Sequence, residues 1–289
     1  MGKKVGNYFT LVFLALIWGS SFILMKRGLE VFDFIQLANL RIVIAFISLT
    51  PFLPKAIKVV KQRHLFPILI SALLGNGIPA FLFASAQTKL DSSLVGTLNA
   101  IVPLFTLILG VYFFGTKPSR LNILGVFIGL FATIFLAFHT LQEGMIFNVY
   151  ILLVLSGGVC YAISINVIKK YLYDLDASLI AALAFLIIGP LAIMYLFKDS
   201  TLCQLKDHPQ LSQALGYIAL LSVLGTSMAA IIFNRLLQRS SAIFVSSITY
   251  LIPIVAIFWG ILDGEIITIH HALGLIIIFS SVYLINKKS

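Results

Sequence analysis

The feature that most constrains this chain is a series of apolar segments, each near the roughly 20 residues that a helix needs to cross about 30 Å of hydrocarbon. Residues 8–139 divide into five such segments, and residues 147–286 divide into five more. We therefore predict an all-α integral membrane protein with ten transmembrane helices. The predicted spans are approximately 8–27, 34–53, 65–87, 92–114, 122–139, 147–168, 178–197, 213–237, 242–262 and 270–286.

The two sets of segments share residues at a nearly fixed separation along the chain. It is 143 residues near the start of each set and 150 in the middle, and the matched pairs include Trp18 and Tyr161, Ser21 and Ser164, Asn76 and Thr226, Phe83 and Phe233. An odd number of spans per half inserts the second half with the opposite orientation. We therefore predict two inverted five-helix repeats, residues 1–142 and 143–289, an architecture typical of transporters.

The composition excludes a soluble domain, because 60% of the residues are hydrophobic and only 10% are charged, against about a quarter charged in soluble proteins. The net charge of +10 does not indicate a nucleic-acid partner. Fourteen of the twenty lysines and arginines fall on the side of the N-terminus, five fall on the opposite side, and Arg41 lies inside a span. This asymmetry predicts a multi-pass membrane protein with both termini in the cytoplasm.

The expected partners are a small-molecule solute and the lipid bilayer, while the sequence indicates no particular oligomeric state. Cys160 and Cys203 stand at no metal-binding spacing, so we expect neither a metal nor a cofactor. The sequence also has no Asp or Glu near the middle of a predicted span. Proton-driven carriers commonly use such a carboxylate, so we expect transport without obligatory proton antiport.

Polar side chains inside the spans are the candidate solute-binding residues, because each costs on the order of 1–3 kcal/mol in hydrocarbon unless it finds a partner or a wet cavity. Their helical spacing places several on common faces. The alternative is that they join helices by close packing and interhelical hydrogen bonds. The candidates are Trp18, Ser21, Asn76, Gln87, Asn99, Tyr161, Ser164, Thr226, Thr249 and Tyr250.

Asn76 differs from the other candidates in its neighbours. Gly75 and Gly77 flank it and Pro79 follows, a cluster that predicts a loosened helix with freed backbone carbonyls. A broken helix near the midplane is typical of a transporter binding site, and the alternative is a kink that serves packing alone.

Arg41 is the one charged side chain well inside a predicted span, about 9 Å of helix rise from its outer end. One interpretation is that the long side chain extends outward to the water interface, toward Glu30 or Asp33. The other is that Arg41 binds a substrate carboxylate or takes part in gating.

Three stretches resemble EamA-type carriers of the drug/metabolite transporter superfamily. They are LIWGSSFILMKRGLE with LANLRIVIAF, TLNAIVPLFTLILGVYFFG with NILGVFIGL, and ITYLIPIVAIFWGILDGE with HHALGLIIIFSSVYL. The resemblance implies ten helices, two inverted repeats, cytoplasmic termini and efflux of amino acids or other small metabolites. The family's acidic residue after the fourth helix is Thr116 here, whereas Glu265 retains it in the second half.

The leading hypothesis is therefore a carrier of the bacterial inner membrane that exports a small neutral or zwitterionic metabolite, such as an amino acid, by alternating access. An integral membrane enzyme acting on a lipid-linked substrate is the first alternative, and it would need a nucleophile, metal cluster or acid/base pair that the sequence does not reveal. A passive solute channel is the second, and it predicts flux that never saturates.

Overall fold

The computed structural model describes residues 2–140, 149–199, 208–262 and 269–286. Within these ranges all regular secondary structure is helical. We label the helical segments α1 (Gly2–Leu29), α2 (Phe34–Val59), α3 (Gln62–Gln87), α4 (Ser92–Phe114), α5 (Arg120–Thr140), α6 (Val149–Tyr171), α7 (Ala177–Lys198), α8 (Leu211–Arg239), α9 (Ala242–Ser246 and Ile248–Leu262) and α10 (Ile269–Asn286).

Seven of these segments, α1 to α4 and α6 to α8, are long and apolar enough to cross a bilayer. The apolar stretches found in α5, α9 and α10 are shorter, at Arg120–Ala132, Ala242–Val255 and Ile276–Ile285. The protein is thus an all-helical, multi-pass membrane protein, and the crossing of the bilayer by ten helices remains a prediction.

Aspartates begin two helices at corresponding places in the two halves of the chain. Asp33 accepts hydrogen bonds from the backbone N–H groups of Ile35 and Gln36 at the start of α2. Asp176, 143 residues later, accepts one from the N–H of Ser178 at the start of α7. Each carboxylate satisfies donors that the first helical turn leaves without partners.

Helix α2 is longer than the sequence predicts. Its expected end near residue 53 is wrong, because the chain passes through a 3₁₀ turn at Thr50–Phe52 and continues as an α-helix over Leu53–Val59. Pro51 and Pro54 each lie in the first turn of their segment, where the missing N–H of proline breaks no helical hydrogen bond.

Several helices lose regular α geometry near their centres. Both α3 and α8 contain a π turn, at Leu73–Gly77 and Val223–Met228, and these turns lie 150 residues apart. The predicted loosening of the helix around Asn76 is therefore confirmed. A 3₁₀ turn at Asn99–Ile101 interrupts α4, and α9 is interrupted at Ser247.

The helices pack mainly across the two halves of the chain. Helix α1 packs against α8 and α9, α2 against α7, and α3 and α4 against α6. Helices α5 and α10 pair with each other at one side of the bundle. The remaining eight helices surround a central cavity into which the interrupted segments face.

Candidate functional site

A cavity of about 130 Å³ lies between the two halves of the chain, lined by α1 to α4 and α6 to α9. A cavity of this volume has room for several waters or for a small solute. Nine of the residues proposed from the sequence line it, namely Trp18, Ser21, Arg41, Asn76, Asn99, Tyr161, Ser164, Thr226 and Thr249.

Two further sequence candidates, Gln87 and Tyr250, lie outside this lining. The Gln87 amide is buried, and its Nε2 donates a 3.0 Å hydrogen bond to the carbonyl of Phe22. The Tyr250 hydroxyl donates a 2.8 Å bond to the carbonyl of Val126 in α5, and the ring is fully buried. Both side chains therefore join neighbouring helices in the structure.

Two aromatic pairs line the cavity at corresponding positions. The rings of Trp18 and Phe233 have centroids 5.3 Å apart, and those of Tyr161 and Phe83 have centroids 5.6 Å apart. The pairs are equivalent because Trp18 corresponds to Tyr161 and Phe233 to Phe83. Each pair joins a residue of one half to a residue of the other, so both halves build the aromatic wall.

The two serines proposed from the sequence pack against glycines of the opposite half. A Cβ atom added at Gly225 would collide with the Ser21 hydroxyl, and one added at Gly75 would collide with the Ser164 hydroxyl. Glycine is therefore required in both π turns for this approach. The indole Nε1 of Trp18 adds a 2.9 Å hydrogen bond to the carbonyl oxygen of Gly225.

The side chains of Asn76 and Thr226 donate hydrogen bonds to backbone carbonyls just before the π turns. Asn76 Nδ2 donates to the carbonyl of Ser71 at 3.1 Å, and Thr226 Oγ1 donates to the carbonyl of Leu221 at 3.1 Å. Both acceptors lie five residues earlier in the chain, so the two interactions are equivalent. The Oδ1 atom of Asn76 has no hydrogen-bond partner among the described residues and remains available to a ligand.

Three of the remaining candidates differ in how much hydrogen-bonding capacity they have left. Ser21 and Thr249 donate to carbonyls of their own helices, at Ile17 and Ser246. Asn99 is 6% exposed, and its Oδ1 has no partner in the described part of the chain. A buried carbonyl oxygen without a partner costs free energy, which a donor on a bound ligand can recover.

Arg41 lies in the cavity wall, and the outward orientation toward Glu30 or Asp33 is wrong. Its Nε donates a 2.8 Å hydrogen bond to Thr226 Oγ1. Glu30 instead pairs with Arg27 at 2.8 Å, and Asp33 caps its own helix. Across the described ranges, no acidic side chain lies within salt-bridge distance of Arg41.

Some lining residues escape the sequence argument. Ser71, Ala181 and Ala184 line the cavity but were not among the residues proposed from the sequence. Asn234 also lines it, and its Nδ2 donates to the carbonyl of Ala177 at 3.4 Å. Asn234 corresponds to Ala84 in the first half, 150 residues earlier. Because alanine is apolar, this pair of residues does not indicate a binding site.

A polar cluster outside the predicted spans joins the start of α3 to the loop between α6 and α7. Arg63 pairs with Asp174, and the Nε2 of buried His64 lies 3.2 Å from the same carboxylate. Partial desolvation raises the pKa of Asp174, but the hydrogen bond from Arg63 and neighbouring charges outweigh it and hold the pKa below its ordinary value. The cluster therefore links the two halves at the end of the bundle that carries the N-terminus.

Comparison with protein families identifies one match that covers most of the chain. The model of the EamA-like transporter family matches residues 6–138 and again residues 148–287. One family model thus matches the chain twice.

Curated relatives over nearly the whole length are named as transporters. The uncharacterized inner membrane transporter YedA of Escherichia coli (strain K12) is 27% identical, with 94% of this chain and 88% of the relative covered. The uncharacterized transporter YvbV of Bacillus subtilis (strain 168) is 26% identical, covering 99% and 93%. A probable amino-acid metabolite efflux pump of Escherichia coli (strain K12) is 23% identical, covering 98% and 95%.

A solved crystal structure has the same fold. It superposes with a TM-score of 0.73 at 14% sequence identity, and the match covers 98% of this chain and 96% of the other.

Proposed function

Because this chain belongs to the EamA-like transporter family, we propose that it exports a small neutral or zwitterionic metabolite, such as an amino acid, by alternating access. The family and the names of its relatives indicate a membrane transporter for a small-molecule solute and not an enzyme. The amino-acid class is supported by the relative named as a probable amino-acid metabolite efflux pump.

The observation that carries the proposal is a cavity whose walls include matching positions of both halves, such as Trp18 with Tyr161 and Gly75 with Gly225. A carrier must expose one site to each side of the membrane in turn. A site shared by two similar halves suits this motion, because rocking one half against the other opens either side. The aromatic pairs and the serine–glycine contacts are the contacts that such rocking would rearrange.

In our proposal ten helices span the bacterial inner membrane as two inverted repeats, residues 1–142 and 143–289, with both termini in the cytoplasm. The reciprocal contacts of Trp18 with Phe233 and of Tyr161 with Phe83 support the repeat. The surplus of lysines and arginines on the N-terminal side supports the orientation.

The residues proposed to contact the solute are those that line the cavity. Asn76, Asn99 and Tyr161 each have a polar atom without a hydrogen bond among the described residues, and Trp18 supplies an aromatic surface. Gln87 and Tyr250 are not part of the proposed site, because neither lines the cavity and each donates a hydrogen bond to a backbone carbonyl of another helix.

The transport mode we propose is exchange or downhill efflux without obligatory proton antiport. The acidic side chains in the described part of the chain lie at helix ends or between helices, and Arg41 stays protonated at physiological pH. A proteoliposome with equal solute on both sides and an imposed pH gradient tests this. The solute concentrations on the two sides should remain equal. Accumulation of solute on one side that a protonophore abolishes would overturn this part of the proposal.

The experiment that tests the carrier itself is counterflow. Proteoliposomes preloaded with a panel of unlabelled amino acids should take up a labelled member of the panel faster than empty ones, and uptake should saturate. A passive channel gives uptake that rises linearly with concentration and is unaffected by preloading. Empty liposomes and liposomes with heat-denatured protein provide the background.

A further inference from the structure

We propose that Arg41 forms a carboxylate subsite in the central cavity, so that the exported solute is a zwitterionic α-amino acid and not a solute lacking a carboxylate. This inference rests on the transport function proposed above and specifies its substrate class. It rests on the surroundings of the Arg41 guanidinium, which lies in the cavity wall. The guanidinium donates a hydrogen bond to the neutral Thr226 and has no acidic partner among the described residues.

The Arg41 guanidinium has five N–H donors and uses only one of them on a described side chain. Its Nε donates to Thr226 Oγ1 at 2.8 Å, which fixes the orientation of the planar group. The terminal nitrogens have no hydrogen-bond partner among the described residues. Two parallel N–H groups therefore remain for the two oxygens of a carboxylate, the geometry that arginine favours.

Electrostatics favours an anionic group beside Arg41. A cation within a membrane protein is costly unless it is paired or faces water, and a threonine hydroxyl does not neutralise it. The acids nearest in sequence are occupied elsewhere, since Glu30 binds Arg27 and Asp33 caps α2. The positive charge that no described acid balances is thus available to the ligand.

The cavity lining also limits the charge of the ligand. Arg41 is the one charged side chain among the described residues that line the cavity. The carboxylate of a zwitterion pairs with Arg41 while its ammonium needs only neutral acceptors, whereas a dianion such as a phosphate ester would have one negative charge with no cation beside it.

Acceptors for an ammonium group lie in the same cavity. Asn99 Oδ1 is buried without a partner, and Asn76 Oδ1 has none among the described residues because its amide nitrogen is the atom bonded to Ser71. Both atoms accept and do not donate, as an ammonium group requires. The ring pairs of Trp18 with Phe233 and Tyr161 with Phe83 offer apolar walls to a neutral side chain.

The test compares each neutral amino acid with its α-carboxamide, which keeps the ammonium and the side chain but lacks the negative charge. The readout is inhibition of counterflow of the labelled amino acid that the wild type exchanges fastest. For the wild type we expect the carboxamide to inhibit at least about tenfold more weakly than the amino acid, because charge-assisted bidentate bonds are lost. Equal inhibition by the two compounds would overturn the proposal.

Two substitutions assign this preference to Arg41. Arg41→Gln keeps a donor for Thr226 but removes the charge, so the amino acid and its carboxamide should then inhibit nearly equally. Arg41→Lys keeps the charge without the planar fork, so it should keep a preference for the acid with a raised KM. Lys58→Gln is the matched control, because it removes one positive charge from the exposed end of the same helix, outside the cavity lining, and it should leave the preference unchanged.

The outcomes separate this inference from the function on which it rests. Wild-type counterflow that is saturable but indifferent to the carboxylate, or a preference that survives Arg41→Gln, overturns the subsite and leaves the carrier in place. Absence of counterflow with every amino acid of the panel overturns amino-acid transport and the subsite with it. Because the wild-type comparison needs no variant, poor folding of Arg41→Gln does not prevent a decision.

Discussion

The indole Nε1 of Trp18 donates a 2.9 Å hydrogen bond to the carbonyl oxygen of Gly225, and this bond joins the first helix to the π turn of α8 in the other half of the chain. The equivalent pair, Tyr161 and Gly75, has no such bond, since the Tyr161 hydroxyl makes no hydrogen bond within the described ranges. The two halves are thus similar in packing and different in hydrogen bonding.

The first prediction tests this difference. Trp18→Phe keeps a ring against Phe233 but leaves the Gly225 carbonyl without its donor, which should destabilise the fold by roughly 1–3 kcal/mol. Tyr161→Phe is the control, and it should leave stability unchanged. Thermal unfolding in detergent measures both, and equal losses in the two variants would contradict the asymmetry.

A second prediction concerns the close approach of Ser21 to Gly225. Gly225→Ala should destabilise the protein by about 1–3 kcal/mol, because its Cβ would occupy the position of the Ser21 hydroxyl. Ser21→Ala removes that hydroxyl, so the double variant should recover much of the loss. Thermal unfolding of the two single variants and the double variant measures the interaction energy between positions 21 and 225. Additive losses would show that the contact is not responsible.

The sequence predicts the helical membrane fold because hydropathy and helical length are local properties of the chain. It also predicts the break at Asn76, because the glycines and the proline around it weaken the helix whatever the tertiary structure. It cannot place Gln87, because its amide could reach either the cavity or a neighbouring backbone carbonyl, and the structure has it on Phe22.

The orientation of Arg41 was equally open from the sequence. A long side chain about two turns from a helix end can reach the interface or turn inward, and the choice depends on what the neighbouring helix offers. Here Thr226 of α8 accepts a hydrogen bond from Arg41. The two acids proposed as its partners interact elsewhere, Glu30 with Arg27 and Asp33 with the first turn of α2. The sequence of α2 alone therefore does not determine the direction in which the Arg41 side chain extends.

The third prediction is a pH dependence at the start of α7. Hydrogen bonds from the hydroxyl and the N–H of Ser178 lower the pKa of Asp176. A carboxyl with a lowered pKa in the folded state stabilises the fold above its ordinary pKa, and this contribution is lost as the pH falls through the lowered value. Asp176→Ala should therefore cost about 1 kcal/mol at neutral pH and little in strong acid.

Asp176→Asn is the matched control for that measurement, because asparagine caps a helix but does not ionise in this range. Its stability difference from Asp176→Ala should not change between pH 7 and pH 2. If wild type and Asp176→Ala keep the same difference in thermal midpoint over that range, the carboxylate does not stabilise the helix as described.

The fourth prediction addresses the orientation of the chain in the membrane. In a background without Cys160 and Cys203, Lys58→Cys lies at the exposed end of α2 and Lys89→Cys lies in the exposed link after α3. With cytoplasmic termini, a membrane-impermeant thiol reagent should label position 89 in intact cells and position 58 only after lysis. The reverse pattern would invert the proposed orientation.

The most direct test of transport through the shared cavity uses a thiol at its wall. Ala230 lines the cavity in α8, whereas Leu220 of the same helix is exposed on the outer surface of the bundle. In the cysteine-free background, modification of Ala230→Cys by a small thiol reagent should abolish counterflow, and excess solute should protect it. Modification of Leu220→Cys should leave counterflow unchanged. Counterflow that survives complete modification of Ala230→Cys would contradict a solute path through this cavity.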